Sequence, residues 1–359
     1  MQYSYLNQLR ERQFLVEKSD SHLLGKGGFG KVYMCYDVMA EDKEYYAAKC
    51  IPIETKKINE LMSLFNEILV SEYGRKNPNL VKFIDISEGT DENGNIEKYL
   101  IYELCKGGDL KTYIENYLKT HDDKSISEME IQKAMKDILN GLSCLHRNGV
   151  IHHDLKPQNI LLQFPKYEDA ENFDFEKCTY KLTDFGLASF GDQAEEGIGG
   201  TFPYMDPKLI TDGNGNLVIN ENQQYLKNPA LDIWSIGIIA YELLFNKNPF
   251  MRGGWSPDFR NRILQNIASG NYTINLNGIE RISKEFLCFL EDCLRFEPLD
   301  RKSSEQLEFT RFITRDYSKF SFINADNYQD MLPSEYIGED NTIVLPIFSE
   351  KKLEEHFDL

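Results

Sequence analysis

From Phe14 to Ile53 short apolar runs alternate with turn-forming clusters: FLVE, then SDSHLLGKGGFG, KVYMCYDV, the polar AEDKE and YYAAKCIPI. Runs of this length, rich in β-branched and aromatic residues and punctuated by glycine and charge, predict an antiparallel meander. From Lys56 to Tyr73 the spacing turns helical, with Ile58, Leu61, Leu64, Phe65, Ile68 and Leu69 on one face and Gly74 at the end. Two more strand-like runs, LVKFIDI and EKYLIYEL, flank the hairpin-like DENGN. Past Lys106-Gly107-Gly108 the pattern is helical. Ser127 and Glu130 form a capping box ahead of Ile131, Met135, Ile138, Leu142 and Leu145, and Asn148-Gly149 stops that helix. Leu231–Phe245 is apolar on nearly every side and predicts a central buried helix. The chain therefore reads as α+β, a sheet-rich lobe and a helical lobe divided near Glu103–Gly108. Gln163–Cys178 and Thr211–Asn228 read as polar surface excursions. After about Arg315 periodicity fades into a mixed tail ending in EKKLEEHFDL, which reads as frayed in preference to a docking segment.

Composition narrows the function classes. The 359 residues suffice for about two packed units. Forty basic against 58 acidic side chains leave a net charge of -18, which repels nucleic acid and anionic membrane surfaces. Leu231–Phe245 carries Asp232, Ser235 and Glu242 and is too short to span a bilayer, so no membrane insertion is expected. The first residues lack the basic cap and apolar run of a secretory signal. The seven cysteines are scattered without a CxxC pair, so a reducing, intracellular compartment is expected, cytoplasmic and compatible with the nucleus.

The candidate chemistry lies on loops between these elements. Gly25, Gly27, Gly28 and Gly30 form GxGxxGxV between two strands, where missing side chains let backbone amides close on phosphate oxygens. Such a turn is as often merely structural, but the next strand places the single Lys49 after two alanines, and a lysine facing phosphates has a reason to be there. His152-His153-Asp154-Leu155-Lys156-Pro157-Gln158-Asn159 puts a base, a cation and an amide oxygen on one loop. A His152-His153-Asp154 metal cluster is disfavoured, because adjacent histidines do not easily converge on one ion. Asp184 ends a strand before Phe185-Gly186, and the oxygens of Asp184 and Asn159 suit Mg2+.

The order GxGxxGxV, AxK, HxDxKxxN, DFG, GTxxYxxP and DxWSxG, over residues 14–315, resembles the protein-kinase superfamily. That resemblance implies a bilobal fold: residues 1–103 an antiparallel sheet lobe with one helix, 104–315 a mainly helical lobe, and 316–359 a tail. It implies that Lys49, oriented by Glu67, grips the phosphates of ATP. Asp154 would deprotonate the acceptor hydroxyl, Lys156 and Thr201 would complete the transfer site, and Asn159 and Asp184 would hold Mg2+. Adenine would lie among Leu24, Val32, Ala47 and Leu161, with hinge bonds from the backbone of Glu103 and Cys105. Tyr102 would close the back pocket, and Asp109 of GGDL would join the nucleotide contacts. HxDLKPxN with Thr201 resembles the serine/threonine branch, and GGDL and LDIWSIGIIAYELLFNKNPF look most similar to Unc-51-like kinases, with calcium/calmodulin-type kinases next.

Three positions depart from the family pattern. His153 replaces an arginine that in many kinases clamps an activation-loop phosphate, and the loop between Asp184 and Pro207 holds only Ser189, Thr201 and Tyr204 as hydroxyls. The expectation is an activation segment that works without phosphorylation, with Glu195 and Glu196 giving local charge. Lys208 stands where a glutamate usually pairs with Arg301, so Asp206, Glu305 or a rebuilt corner must substitute. Ser71 replaces a hydrophobe one turn after Glu67, which would loosen the helix. These departures motivate a second reading, a pseudokinase or nucleotide-binding scaffold. A small-molecule kinase is opposed by GTFPYMDP, which resembles a peptide-docking loop. Glu242 matches an acidic position of basic-directed kinases, a tilt toward basic protein substrates, or else it merely solvates its helix.

Overall fold

The computed structural model describes residues 3–6, 12–27, 30–41, 44–52, 58–74, 76–90, 94–120, 126–171, 173–190, 200–210, 226–250, 271–275, 281–338, 342–346 and 352–357. The chain divides into two units, Met1–Gly108 with Leu161–Gly186, and Asp109–Ile160 with Leu187–Leu359.

The first unit is built on a seven-stranded antiparallel sheet: β1 (Tyr3–Leu6), β2 (Phe14–Glu17), β3 (Leu23–Gly27), β4 (Gly30–Asp37), β5 (Tyr45–Pro52), β6 (Phe83–Thr90) and β7 (Ile96–Glu103). The order is β1-β2-β4-β5-β7-β6, with β3 paired to β4. Alternation sends Phe14, Val16, Tyr33, Cys35, Ala48, Cys50, Tyr99 and Ile101 into one core. The other face gathers Val81, Phe83, Leu100, Tyr102 and Cys105, and helix α1 (Ile58–Gly74) covers it through Leu64 and Ile68. The predicted apolar face of α1 is rotated. Phe65 and Leu69 are 54% and 38% exposed, whereas Glu67, Val70 and Ser71 are buried. The inward stripe is thus defined by a carboxylate and a hydroxyl that find partners inside, which apolar periodicity does not register.

Leu161–Gly186 joins this unit through β9 (Ile160–Gln163) and β10 (Thr179–Leu182), introduced after the short β8 (Val150–Ile151) of the second unit. Leu182 accepts from the Val81 N–H at 2.9 Å and donates to the Asn79 carbonyl at 2.9 Å. The Asn79 amide adds a bond to the Tyr180 carbonyl at 3.0 Å.

In the second unit α2 (Leu110–Thr120) precedes α3 (Glu128–Arg147). The α3 capping box is complete, since Ser127 Oγ accepts from the Glu130 N–H and Glu130 accepts from the Ser127 N–H. Helix α4 (Ala230–Phe245) is buried along almost its whole length and ends at Asn246 in the left-handed region. Helix α5 (Lys284–Cys293) packs on it at Gly237, where a Cβ would stand 2.7 Å from Cys293 and Leu294. Among the described residues no helix is long and apolar enough to cross a membrane.

The described part of the tail packs onto this unit. Strand β11 (Ser189–Phe190) pairs with β8; β12 (Asn271–Asn275) and β13 (Arg281–Ser283) take β15 (Thr342–Pro346) and β14 (Phe322–Asn324) of the tail as partners. Ile323, Tyr336, Ile343, Leu345 and Leu353 are buried. The Leu353 N–H donates to Glu291 at 2.8 Å, and Lys302 bridges Asp292 and Glu354 at 2.8 and 2.9 Å. These elements are three to five residues long, too short for a periodic signal, which is why the tail reads as frayed in the sequence.

Candidate active site

Lys49 leaves β5 opposite Val32 and Leu100, and its ammonium lies 2.8 Å from both Glu67 oxygens and 2.7 Å from Asp184 Oδ1. Burial alone would push its pKa down; the carboxylates of Glu67 and Asp184 outweigh it and keep the lysine charged. Asp184 adopts φ 63°, a left-handed conformation that aspartate tolerates better than most residues. The strand before it is pinned by Asn79 and Leu80, so its carboxylate is placed by backbone pairing.

The proposed nucleotide pocket residues line up by register. Gly25 faces Val32, Met34 faces Ala47, and Ala47 faces Tyr102. Ala47 and Leu161 pack against the Tyr102 and Cys105 cluster, while Leu24 is 48% exposed. The Glu103 N–H is donated to the Lys82 carbonyl at 3.0 Å, so a hinge contact from Glu103 must use its carbonyl oxygen. Asp109 belongs to the second unit, and its carboxylate accepts from the N–H and hydroxyl of Thr112. Gly27 pairs with Gly30, and Gly28 lies outside the described residues.

The glycines separate into two kinds. At Gly30, φ 129°, a Cβ would stand 2.1 Å from the Cys50 carbonyl, whereas nothing lies within 4 Å of one at Gly25. Gly30→Ala should therefore lower stability by about 2 kcal/mol or more, read as a clear fall in Tm. Gly25→Ala should leave Tm unchanged and raise KM for Mg-ATP. Equal Tm values for the two variants would refute this division.

In the second unit Asp154, Lys156 and Thr201 form a closed triangle. Lys156 Nζ donates to Asp154 Oδ2 at 2.6 Å and to Thr201 Oγ1 at 2.8 Å, and Thr201 donates to Asp154 Oδ1 at 2.7 Å. Asn159 spends its amide protons on the Asp154 carbonyl and carboxylate at 2.8 and 3.1 Å, leaving its amide oxygen as the group suited to a hard cation. Among the described residues no group of three or more His, Cys, Asp or Glu side chains is gathered to hold a metal ion. A single amide oxygen or carboxylate oxygen is the kind of donor Mg2+ takes, since it is held by few protein ligands together with nucleotide phosphates.

The loop carrying Asp154 is anchored by Asp232, buried in α4, which accepts from the His152 and His153 N–H groups at 2.8 and 2.9 Å and bonds His146 Nε2 at 2.9 Å. Burial alone would raise the pKa of Asp232; the hydrogen bond with His146 outweighs it and holds the carboxyl below its ordinary value. Sequence reading assigns Asp232 to a motif without a role. The available signal is an aspartate inside an otherwise apolar helix, which has to be paired.

The departures from the family pattern are accommodated locally. His153, φ 65°, shares a 2.7 Å hydrogen bond between Nε2 and Ser189 Oγ. Loss of water around the ring pushes its pKa down, so it is neutral at pH 7. Asp206 takes the buried partnership with Arg301, the guanidinium also donating to the carbonyls of Arg295, Phe296 and Ala230. Lys208 turns to Glu297 at 2.6 Å and lies over Phe296, and Glu305 pairs with Arg147. Ser71 is fully buried and donates to the Glu67 carbonyl at 2.5 Å, so its hydroxyl has a partner inside the helix. Glu195, Glu196 and most of the Thr211–Asn228 excursion lie outside the described residues.

A protein kinase domain model matches residues 19–313. The chain belongs to the protein kinase family. It is 30% identical over 87% of its length to a probable serine/threonine-protein kinase, mkcD, of Dictyostelium discoideum, covering 41% of that protein. It is 31% identical over 79% of its length to a probable myosin light chain kinase of the same organism, covering 79% of it. To the serine/threonine-protein kinase ULK3 of Mus musculus it is 29% identical, over 78% of this chain and 51% of that one. The chain thus spans under half of the first of these relatives, and the three identities do not separate the Unc-51-like from the calcium/calmodulin-type branch. They do place this kinase in the serine/threonine branch.

Proposed function

We propose that this kinase transfers the γ-phosphoryl group of Mg-ATP to serine and threonine hydroxyls of protein substrates, and does so without activation-loop phosphorylation. The observation carrying the first part is the Asp154, Lys156 and Thr201 triangle: a carboxylate held at a fixed position by two donors, beside a cation. Asp154 accepts the proton of the attacking hydroxyl. Lys156 offsets the negative charge spread over the migrating phosphoryl group. Lys49, kept charged between Glu67 and Asp184, grips the α- and β-phosphates. Leu24, Val32, Ala47 and Leu161 enclose the adenine, with the Glu103 carbonyl and the Cys105 N–H reading its edge. Asn159 and Asp184 would each give one hard oxygen to Mg2+, which would supply charge neutralisation for the nucleotide phosphates.

The second part rests on His153. An activation-loop phosphate needs a bidentate cationic partner, and a neutral imidazole already bonded to Ser189 does not supply one. The start of the segment is instead fixed by the His153 and Ser189 bond and by the β8 and β11 pairing. Glu242, whose carboxylate accepts from the Tyr204 hydroxyl at 2.8 Å, is the residue through which a preference for basic peptides would act.

Incubation with Mg-ATP and a mixed peptide library should give phosphoserine and phosphothreonine and no phosphotyrosine, with basic residues enriched before the acceptor. Phosphotyrosine products, or silence with every peptide, would contradict the proposal. Enrichment lost in Glu242→Gln would assign the basic preference to that carboxylate.

A further inference from the structure

The buried side of α1 carries two polar side chains, Glu67 and Ser71, one turn apart, where sequence alone suggests a loosened helix. Glu67 is 2% exposed, and its Oε1 accepts from the Tyr102 hydroxyl at 2.9 Å as well as from Lys49. Ser71, fully buried, donates to the Glu67 carbonyl. We propose that Tyr102 and Ser71 form a polar latch that holds Glu67 in place to orient Lys49, so that Tyr102 is a positioning residue for nucleotide binding. This rests on the reading of Lys49 as the phosphate-gripping lysine.

The donor count shows why a latch is needed. An ammonium has three protons, and those of Lys49 are directed at two oxygens of Glu67 and one of Asp184. When phosphate oxygens arrive, at least one of these bonds is given up. The bond from Tyr102 does not compete with phosphate, so it keeps the buried carboxylate in position while Lys49 turns. The phenol is a permanent donor, since burial raises its pKa far above any working pH. Its ring is fixed by β7, opposite Ala47 and Phe83, and by an edge contact with Phe83 at 5.7 Å. The identity of residue 71 follows. A branched apolar side chain there could not bond the Glu67 carbonyl, whereas serine does. The departure at Ser71 and the bulky Tyr102 are thus two halves of one device.

Steady-state kinetics of the full chain with Mg-ATP and a serine peptide tests this, using Tyr102→Phe, Ser71→Ala, their combination, and Lys49→Met as reference. Tyr102→Phe removes one hydroxyl and keeps the ring. It should raise KM for Mg-ATP roughly tenfold, the order expected for a lost charge-assisted hydrogen bond, with KM for peptide unchanged. Ser71→Ala should act in the same direction but more weakly, and the double variant should not exceed Tyr102→Phe, because the two act as a unit. An unchanged KM for Mg-ATP in Tyr102→Phe beside an inactive Lys49→Met overturns the latch and leaves the site reading standing. A fall in kcat with neither KM moved also overturns it. Wild-type activity in Lys49→Met overturns both. Should Tyr102→Phe be insoluble, Ser71→Ala decides: a raised KM for Mg-ATP alone supports the latch, and wild-type values refute it.

Discussion

Asp154→Ala should lower kcat roughly a thousandfold, in the range general-base removal produces, while KM for Mg-ATP stays within about threefold. The split follows from where the groups lie. The residues read as nucleotide contacts belong almost entirely to the first unit, whereas Asp154 sits on a second-unit loop held by Asp232. Removing the carboxylate also leaves Lys156 and Thr201 without their shared acceptor, and an ammonium has no lone pair with which to replace the missing base. The check is the pair of constants from one peptide titration and one nucleotide titration. A large rise in KM for Mg-ATP with kcat preserved would mean that Asp154 serves binding instead.

The largest effect on stability is expected at Asp206. Its partner Arg301 has no exposed side-chain surface, and its remaining donors are committed to the carbonyls of Arg295, Phe296 and Ala230. Asp206→Ala would strand that guanidinium as an uncompensated buried charge, a loss of about 3–5 kcal/mol, equivalent to a fall in Tm of roughly 10 °C. Lys208 occupies the position where the family usually carries the acid, yet its ion pair is with the half-exposed Glu297, so Lys208→Ala should cost about 1 kcal/mol or less. Thermal melts of the two variants decide whether the acidic partner of Arg301 has moved by two residues. Equal falls, or a greater fall for Lys208→Ala, would reject the exchange.

The parts of this kinase that were legible in advance are those in which local chemistry repeats or a motif fixes several residues at once. The capping box of Ser127 and Glu130, the apolar helix ending at Phe245 and the antiparallel meander all belong here. Long-range polar partnerships were not legible. The rotation of α1 depends on Glu67 meeting Lys49 and Tyr102, residues up to 35 positions away, and an apolar count assigns Phe65 and Leu69 to the core instead. Asp206 and Lys208 both stand near the expected position of the acid, and only the packing of Arg301 selects between them. The tail escapes notice because its apolar residues lie in elements too short to repeat, although β14 and β15 pair with strands of the second unit.

Catalysis by the unphosphorylated chain is the central claim, and the most direct measurement follows transfer and the state of the enzyme together. Phosphatase-treated protein, freed of the phosphatase, is mixed with Mg-ATP and a serine peptide, and intact mass is recorded for enzyme and peptide at each time. Peptide phosphorylation is expected to begin without a lag while the enzyme carries no phosphate, the start of the activation segment being held by the bond between His153 and Ser189. A lag that ends only as the enzyme gains phosphate on its activation segment would contradict it.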